Sequence, residues 1–97
     1  MFHHVVLMRF KDGTSQRQID AIADGLASLP EQIDVLIRYR FGSDVGITDG
    51  AWDFAATAEF AEASHYSEYS DHPAHQAVLR ERIAPVLSEV ARTQFET

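Results

Sequence analysis

The chain has 97 residues, enough for a single domain over residues 1–97 and too few for two. Apolar residues make up 45% and charged residues 24%, a globular composition that excludes a disordered chain, a fibre and a membrane span. The 15 acidic residues outnumber the 8 basic ones, and this balance argues against a nucleic-acid or membrane partner. There is no cysteine, which excludes disulfides and thiolate chemistry. The chain opens without a basic segment followed by an apolar one, so we expect a cytoplasmic protein.

The first predicted elements are a strand and a helix. Residues 2–10 are rich in Val and aromatic residues and end at a Lys-Asp-Gly turn, which predicts a strand. Both of its faces are apolar at the centre, so we expect it to be covered on both sides. Ser15 and Gln18 have the spacing of a capping box, and apolar residues then recur at helical intervals until Pro30. A close contact with the sheet would explain Gly25 inside this helix.

Two more strands are predicted over residues 35–41 and 52–60. The residues between them, 42–50, are rich in Gly and Asp and predict a loop. The even-numbered residues of the third strand form one apolar face: Trp52, Phe54, Ala56, Ala58 and Phe60. Its two alanines are small, which predicts space for a bulky group above this face.

The last third of the chain predicts two short helices and a short strand. The first helix covers residues 61–70, and Pro73 suits the first turn of the second, with His72 or Asp71 near its cap. His75 shares one stripe of this second helix with apolar residues, and Pro85 ends or bends it. Residues 90–95 predict the final strand.

The order β-α-β-β-α-α-β predicts an α+β, ferredoxin-like fold, in which helices cover one face of a four-stranded antiparallel sheet. The other face of the sheet needs a cover as well, because its strands are apolar there. A second copy of the same sheet is the simplest cover, so we expect a homodimer.

Two segments carry a resemblance to a known family. Residues 2–11, with the sequence Phe-His-His-Val-Val-Leu-Met-Arg-Phe-Lys, resemble its first strand. Residues 69–75, with the sequence Tyr-Ser-Asp-His-Pro-Ala-His, resemble its second signature, a Tyr followed by His-Pro-x-His. By these motifs nearly the whole chain resembles the stress-responsive dimeric α/β-barrel (Dabb) family. The resemblance implies a ferredoxin-like chain whose sheet pairs with that of a second copy to close a dimeric α/β barrel.

The resemblance implies a broad range of functions. Many family members have no assigned activity, and some plant members are associated with stress tolerance as stable assemblies. A plant polyketide cyclase has both signatures and closes a ring by aldol condensation without cofactor or metal. Its catalytic His and Tyr match His75 and Tyr69, and its first-strand His matches His4. The resemblance therefore implies an aldol-type lyase without a cofactor, acting on a hydrophobic, carbonyl-rich small molecule. The alternatives are a non-catalytic, stress-associated binding or stability protein and a cofactor-free monooxygenase.

The chemistry of the residues agrees with this assignment and leaves simpler roles open. A His accepts a proton near neutral pH, and a phenol donates to a carbonyl oxygen as charge develops on it, which suits His75 and Tyr69. Their spacing does not bring them together, and capping or packing is the alternative role for each. His72 and His75 are three residues apart, but no further ligands accompany them, so we expect no metal. The cap or the dimer contact is the simpler role of His72.

The candidate ligand-binding residues lie mainly on the strands: His4, Val6, Met8, Trp52, Phe54 and His72. His3 and His4 point to opposite faces of the first strand, and alternation alone does not show which face lines the barrel. The resemblance favours His4. The aromatic residues of the second and third strands, Tyr39 among them, suit the wall of an apolar cavity or a plain core.

Overall fold

The computed structural model describes residues 1–97. Four strands and three α-helices follow one another along the chain: β1 (Phe2–Phe10), α1 (Gln16–Ala27), β2 (Arg38–Ser43), β3 (Phe54–Phe60), α2 (Tyr66–Ser70), α3 (Pro73–Val78) and β4 (Leu87–Glu96). A 3₁₀ turn, Ala63–His65, precedes α2, and a π-helical segment, Leu79–Ile83, continues α3. The strands form one antiparallel sheet in the order β2-β3-β1-β4. The predicted ferredoxin-like α+β fold is confirmed. None of the helices has the length and apolar character needed to cross a membrane.

The two faces of the sheet have different surroundings. On the helix-covered face, His4 and Met8 of β1 are buried together with the even-numbered residues of β3. The opposite, open face carries the odd-numbered residues of β1, of which Val5 and Leu7 are half-buried. No helix of the chain covers that face, so the expectation that β1 is covered on both sides is not met by a single chain.

The strand boundaries differ from the predicted ones at β2, β3 and β4. β3 begins at Phe54 instead of residue 52, and β2 ends at Ser43 instead of residue 41. β2 begins at Arg38 instead of residue 35, because Val35 and Leu36 pack against the core from the turn before the strand. β4 covers Leu87–Glu96 instead of residues 90–95, because it pairs with β1 along the whole length of that strand. β4 is an edge strand with many exposed polar residues, which weaken the apolar alternation that marks a strand in a sequence.

The helix boundaries depend on the predicted caps. At α1, the Ser15 side chain accepts from the Gln18 backbone N–H while the Gln18 side chain accepts from the Ser15 N–H, which confirms the capping box. At α3, Pro73 occupies the first turn, and the His72 side chain accepts from the backbone N–H of Ala74. The caps fix where both helices begin and, at α3, which side chains face the sheet.

Gly25 marks a contact between helices. A Cβ atom at this position would lie 3.0 Å from the Arg82 side chain and 3.1 Å from that of Val78. The predicted contact between this glycine and the sheet is therefore wrong, because its neighbours belong to α3 and the π-helical segment. The absence of a side chain lets α1 approach α3 closely, and this contact helps to hold α3 over the sheet.

Candidate functional site

A cavity of about 260 Å³ lies between the helix-covered face of the sheet and the helices. Its wall is mostly apolar, with polar groups from His4, Tyr39, Tyr66, Tyr69, Ser70, His75 and Arg92. The small side chain of Ala56 forms part of the floor, in agreement with the space predicted above this face. An apolar enclosure with a few converging polar groups is typical of a small-molecule site.

The orientation of His75 follows from its place in α3. Its Nδ1 atom lies 2.9 Å from the carbonyl oxygen of Ser70. Because a carbonyl oxygen only accepts, Nδ1 carries the proton, and Nε2 keeps a free lone pair. Burial lowers the pKa of His75, and this outweighs the effect of the Ser70 hydrogen bond, which raises it. At neutral pH the ring is therefore uncharged, and Nε2 is available to take a proton.

Tyr69 lies directly beside His75, with 4.2 Å between their ring centroids. Its hydroxyl shares a hydrogen bond of 2.9 Å with the hydroxyl of Tyr39. Burial, together with the neighbouring phenol of Tyr39, raises the pKa of Tyr69 far above its usual value. Burial also raises the pKa of Tyr39 to about 12. Both phenols therefore stay protonated and can donate hydrogen bonds across the physiological pH range.

His4 enters the cavity from β1. The side-chain amide of Gln94 donates to His4 Nδ1 at 2.8 Å, which leaves the proton of the neutral ring on Nε2. Burial lowers the pKa of His4 to about 4, and repulsion from Arg92 and from the protonated form of His75 adds to this effect. The cavity therefore holds two neutral imidazoles of opposite tautomer, since His4 offers a donor and His75 an acceptor.

The structure brings together most of the residues that were singled out from the sequence. Five of them line the cavity: His4, Val6, Met8, Tyr69 and His75. The other three lie elsewhere. Phe54 is packed in the core, Trp52 lies against the Arg9 guanidinium at 4.4 Å from its ring centroid, and His72 caps α3. These three do not line the cavity.

Several polar residues of the site were not given a role from the sequence, among them Tyr39, Arg92 and Gln94. Tyr39 was considered only for an apolar wall, and its hydrogen bond to Tyr69 depends on a contact between β2 and α2 that no motif records. Arg92 and Gln94 lie on β4 opposite Val6 and His4 of β1. Both lie within the predicted strand over residues 90–95, but only its register with β1 shows that they share the face of His4 and Val6.

The sequence of this ferredoxin-like chain matches one protein family. The family model described as the stress responsive A/B barrel domain, Dabb, matches residues 2–96. The chain therefore belongs to the Dabb family, as its two signatures indicated. The match shows the family and not the narrower resemblance to polyketide cyclases.

Individual relatives agree with this family. The stress-response A/B barrel domain-containing protein HS1 of Arabidopsis thaliana is 37% identical over 76 residues, which cover 74% of this chain and 68% of HS1. A crystal structure from Thermobifida fusca, described as a dimeric ferredoxin-like protein of unknown function, is 34% identical with a TM-score of 0.91. The similarity covers 99% of this chain and 90% of that one.

The hydroxynitrile lyase of Passiflora edulis has the same fold. It is 19% identical to this chain, with a TM-score of 0.83, and the similarity covers 97% of this chain and 90% of the lyase. At this identity the similarity shows the fold alone.

Proposed function

We propose that the chain is an enzyme that moves a proton beside a carbonyl group, in a cofactor-independent lyase reaction of the aldol type on a small, largely apolar compound. The observation that carries this proposal is the His75–Tyr69 pair, with ring centroids 4.2 Å apart at the cavity wall. The Ser70 carbonyl holds the His75 proton on Nδ1, so the opposite ring nitrogen is free to act as the base.

The reaction begins with removal of a proton from the carbon beside the carbonyl. His75 Nε2 takes this proton, and the electron pair of the C–H bond moves to the carbonyl oxygen to give an enolate. Tyr69 donates its hydroxyl hydrogen bond to that oxygen, and Tyr39 in turn donates to the Tyr69 oxygen. The enolate carbon then attacks a second carbonyl, and the resulting alkoxide takes the proton back from His75. The reverse sequence cleaves the same carbon–carbon bond.

A purely binding role is the alternative, and the arrangement of His75 beside the two phenols favours an enzyme. Apolar walls are sufficient to hold an apolar ligand. They do not require His75 to be fixed in one tautomer beside a phenol that is itself hydrogen-bonded to a second phenol. Such an ordered pair is what proton transfer requires, because the base and the donor must both be in place before the substrate reacts.

The experiment follows deuterium uptake from D₂O into the methylene group of phenylacetone, by NMR. The protein should accelerate this exchange, and His75→Gln should reduce the accelerated rate roughly 100-fold, within the usual contribution of general base catalysis. His65→Gln is the matched control, because His65 lies in the 3₁₀ turn outside the cavity. Equal rates for His75→Gln and the unmodified chain would overturn the assignment, and no acceleration by either would favour the binding role.

We also propose that the chain forms a homodimer through the open face of its sheet, closing a dimeric α/β barrel. Support comes from the half-buried Val5 and Leu7 at the centre of this face and from the relative of Thermobifida fusca, which is described as dimeric. Leu7→Glu should convert the dimer to monomers in analytical ultracentrifugation. Val45→Glu, a matched change at an exposed residue of the β2–β3 loop, should leave it intact. A monomer at micromolar concentration before any substitution would contradict the proposal.

A further inference from the structure

We propose that Arg92 forms an anion subsite at the mouth of the cavity, so that the ligand is a small monocarboxylate whose apolar, carbonyl-bearing part lies inside. This assignment rests on the function proposed above, because it names the substrate class of the same cavity.

The sheet register places Arg92 at the cavity. Arg92 pairs with Val6 of β1, and directly paired residues share one face of a sheet. Both residues line the cavity. Arg92 is also exposed, because β4 is an edge strand, so its side chain lies where the cavity meets solvent. A ligand that enters along this edge therefore meets the guanidinium before it reaches His75.

The guanidinium of Arg92 has no counter-ion in the chain. It takes part in none of the ion pairs, although 15 acidic residues are present. No Asp or Glu lines the cavity, and its two histidines are neutral at pH 7. Arg92 is thus the single charged residue of the wall. Since a guanidinium binds a carboxylate through two parallel hydrogen bonds, an unpaired Arg beside an apolar cavity selects an anionic ligand with an apolar body.

The size of the cavity limits the ligand. A cavity of roughly 150 Å³ holds one benzene molecule. The volume of about 260 Å³ therefore accommodates one ring with a short side chain, or a linear chain of similar volume. A single guanidinium matches the single charge of a carboxylate. A keto acid of this size would place its carboxylate at Arg92 and its carbonyl near Tyr69.

The test compares a negatively charged probe with a neutral probe of nearly the same shape, 4-oxo-4-phenylbutanoate and its primary amide, by isothermal titration calorimetry. The unmodified chain should bind the acid at least 10-fold more tightly than the amide. Arg92→Gln should remove this preference, because the acid loses much more affinity than the amide. Raising the salt concentration should reduce the preference, because the guanidinium is exposed. Arg17→Gln is the control, since it removes one exposed charge on α1, away from the cavity.

The outcomes separate this inference from the proposed function. Equal binding of acid and amide to the unmodified chain, or an unchanged preference in Arg92→Gln, would overturn the anion subsite and leave the carbonyl site standing. No binding of either probe would contradict both the subsite and the carbonyl-binding cavity. A preference that disappears equally in Arg17→Gln would show a general charge effect and would also overturn the assignment to Arg92.

Discussion

The two faces of one sheet have opposite chemical characters, and β1 contributes to both. His4 lies on the helix-covered face, where it is 4% exposed and accepts a hydrogen bond from Gln94. His3, the preceding residue, lies on the open face, 3.4 Å from the Glu59 carboxylate and stacked on Phe95. The covered face buries its imidazoles and keeps them neutral, as a general base requires. The open face keeps polar contacts among half-buried apolar residues, which suits an association surface.

The two faces should differ most in how much an aromatic side chain on each contributes to the free energy of unfolding. Phe60→Ala removes a fully buried ring from the covered face and should lower the free energy of unfolding by about 3–5 kcal/mol. Phe95→Ala removes a half-exposed ring from the open face and should cost less than about 1 kcal/mol at a concentration where the chain is monomeric. Urea denaturation measures both values. Similar losses for the two variants would contradict the distinction between the faces.

The second largest effect is a loss of folding stability at low pH, caused by protonation of His4. The pKa of His4 is about 4 in the folded chain against 6.5 in the unfolded one, so protonation favours unfolding. The stability that His4 contributes is complete above pH 6.5 and is lost as the pH falls towards 4. The loss amounts to about 3 kcal/mol at most, because each pKa unit corresponds to about 1.4 kcal/mol.

Urea denaturation at pH 7 and pH 4 tests this loss by comparison with His4→Gln. The variant should lose less stability over the same range, and the difference is the contribution of His4. His65→Gln serves as the control, because its side chain lies outside the cavity. If His4→Gln loses as much stability as the unmodified chain, His4 is not kept neutral by the covered face.

A smaller effect is expected on the reaction rate when the hydrogen bond between Tyr39 and Tyr69 is removed. Tyr39→Phe removes the hydrogen bond to Tyr69 without removing the ring. Because Tyr69 keeps its own hydroxyl, the deuterium exchange of phenylacetone should slow by roughly 5- to 10-fold, about the energy of one neutral hydrogen bond. Tyr66→Phe is the control at another tyrosine of the cavity wall, and it should leave the rate within about 2-fold. Equal losses in the two variants would remove Tyr39 from the proton-transfer site.

Local signals in the sequence were sufficient to predict much of the fold. The bounds of β1, the capping box at Ser15 and the place of Pro73 at the start of α3 all depend on neighbouring residues. The order of the elements then predicted the antiparallel sheet. The missed boundaries have a different origin, because the polar edge strand β4 is stabilised by its pairing with β1 and not by a pattern of its own.

The candidate site could be predicted only in part, for a similar reason. His4, Tyr69 and His75 were found through the resemblance of two short signatures to a family. The partners that set their protonation come from other elements: Gln94 and Tyr39 reach the site across the sheet and between layers. A single sequence carries no signal for such contacts until the register of the strands is known.

The most direct test of the central claim is the protonation state of the His75 ring, read from its ¹⁵N resonances over a pH titration and assigned with His75→Gln. We expect the proton on Nδ1 at neutral pH, a pKa below 6.5, and a shift of the Nε2 resonance when phenylacetone is added. A proton on Nε2, or a pKa at or above 6.5 with no response to the ketone, would show that His75 is not the base of the cavity.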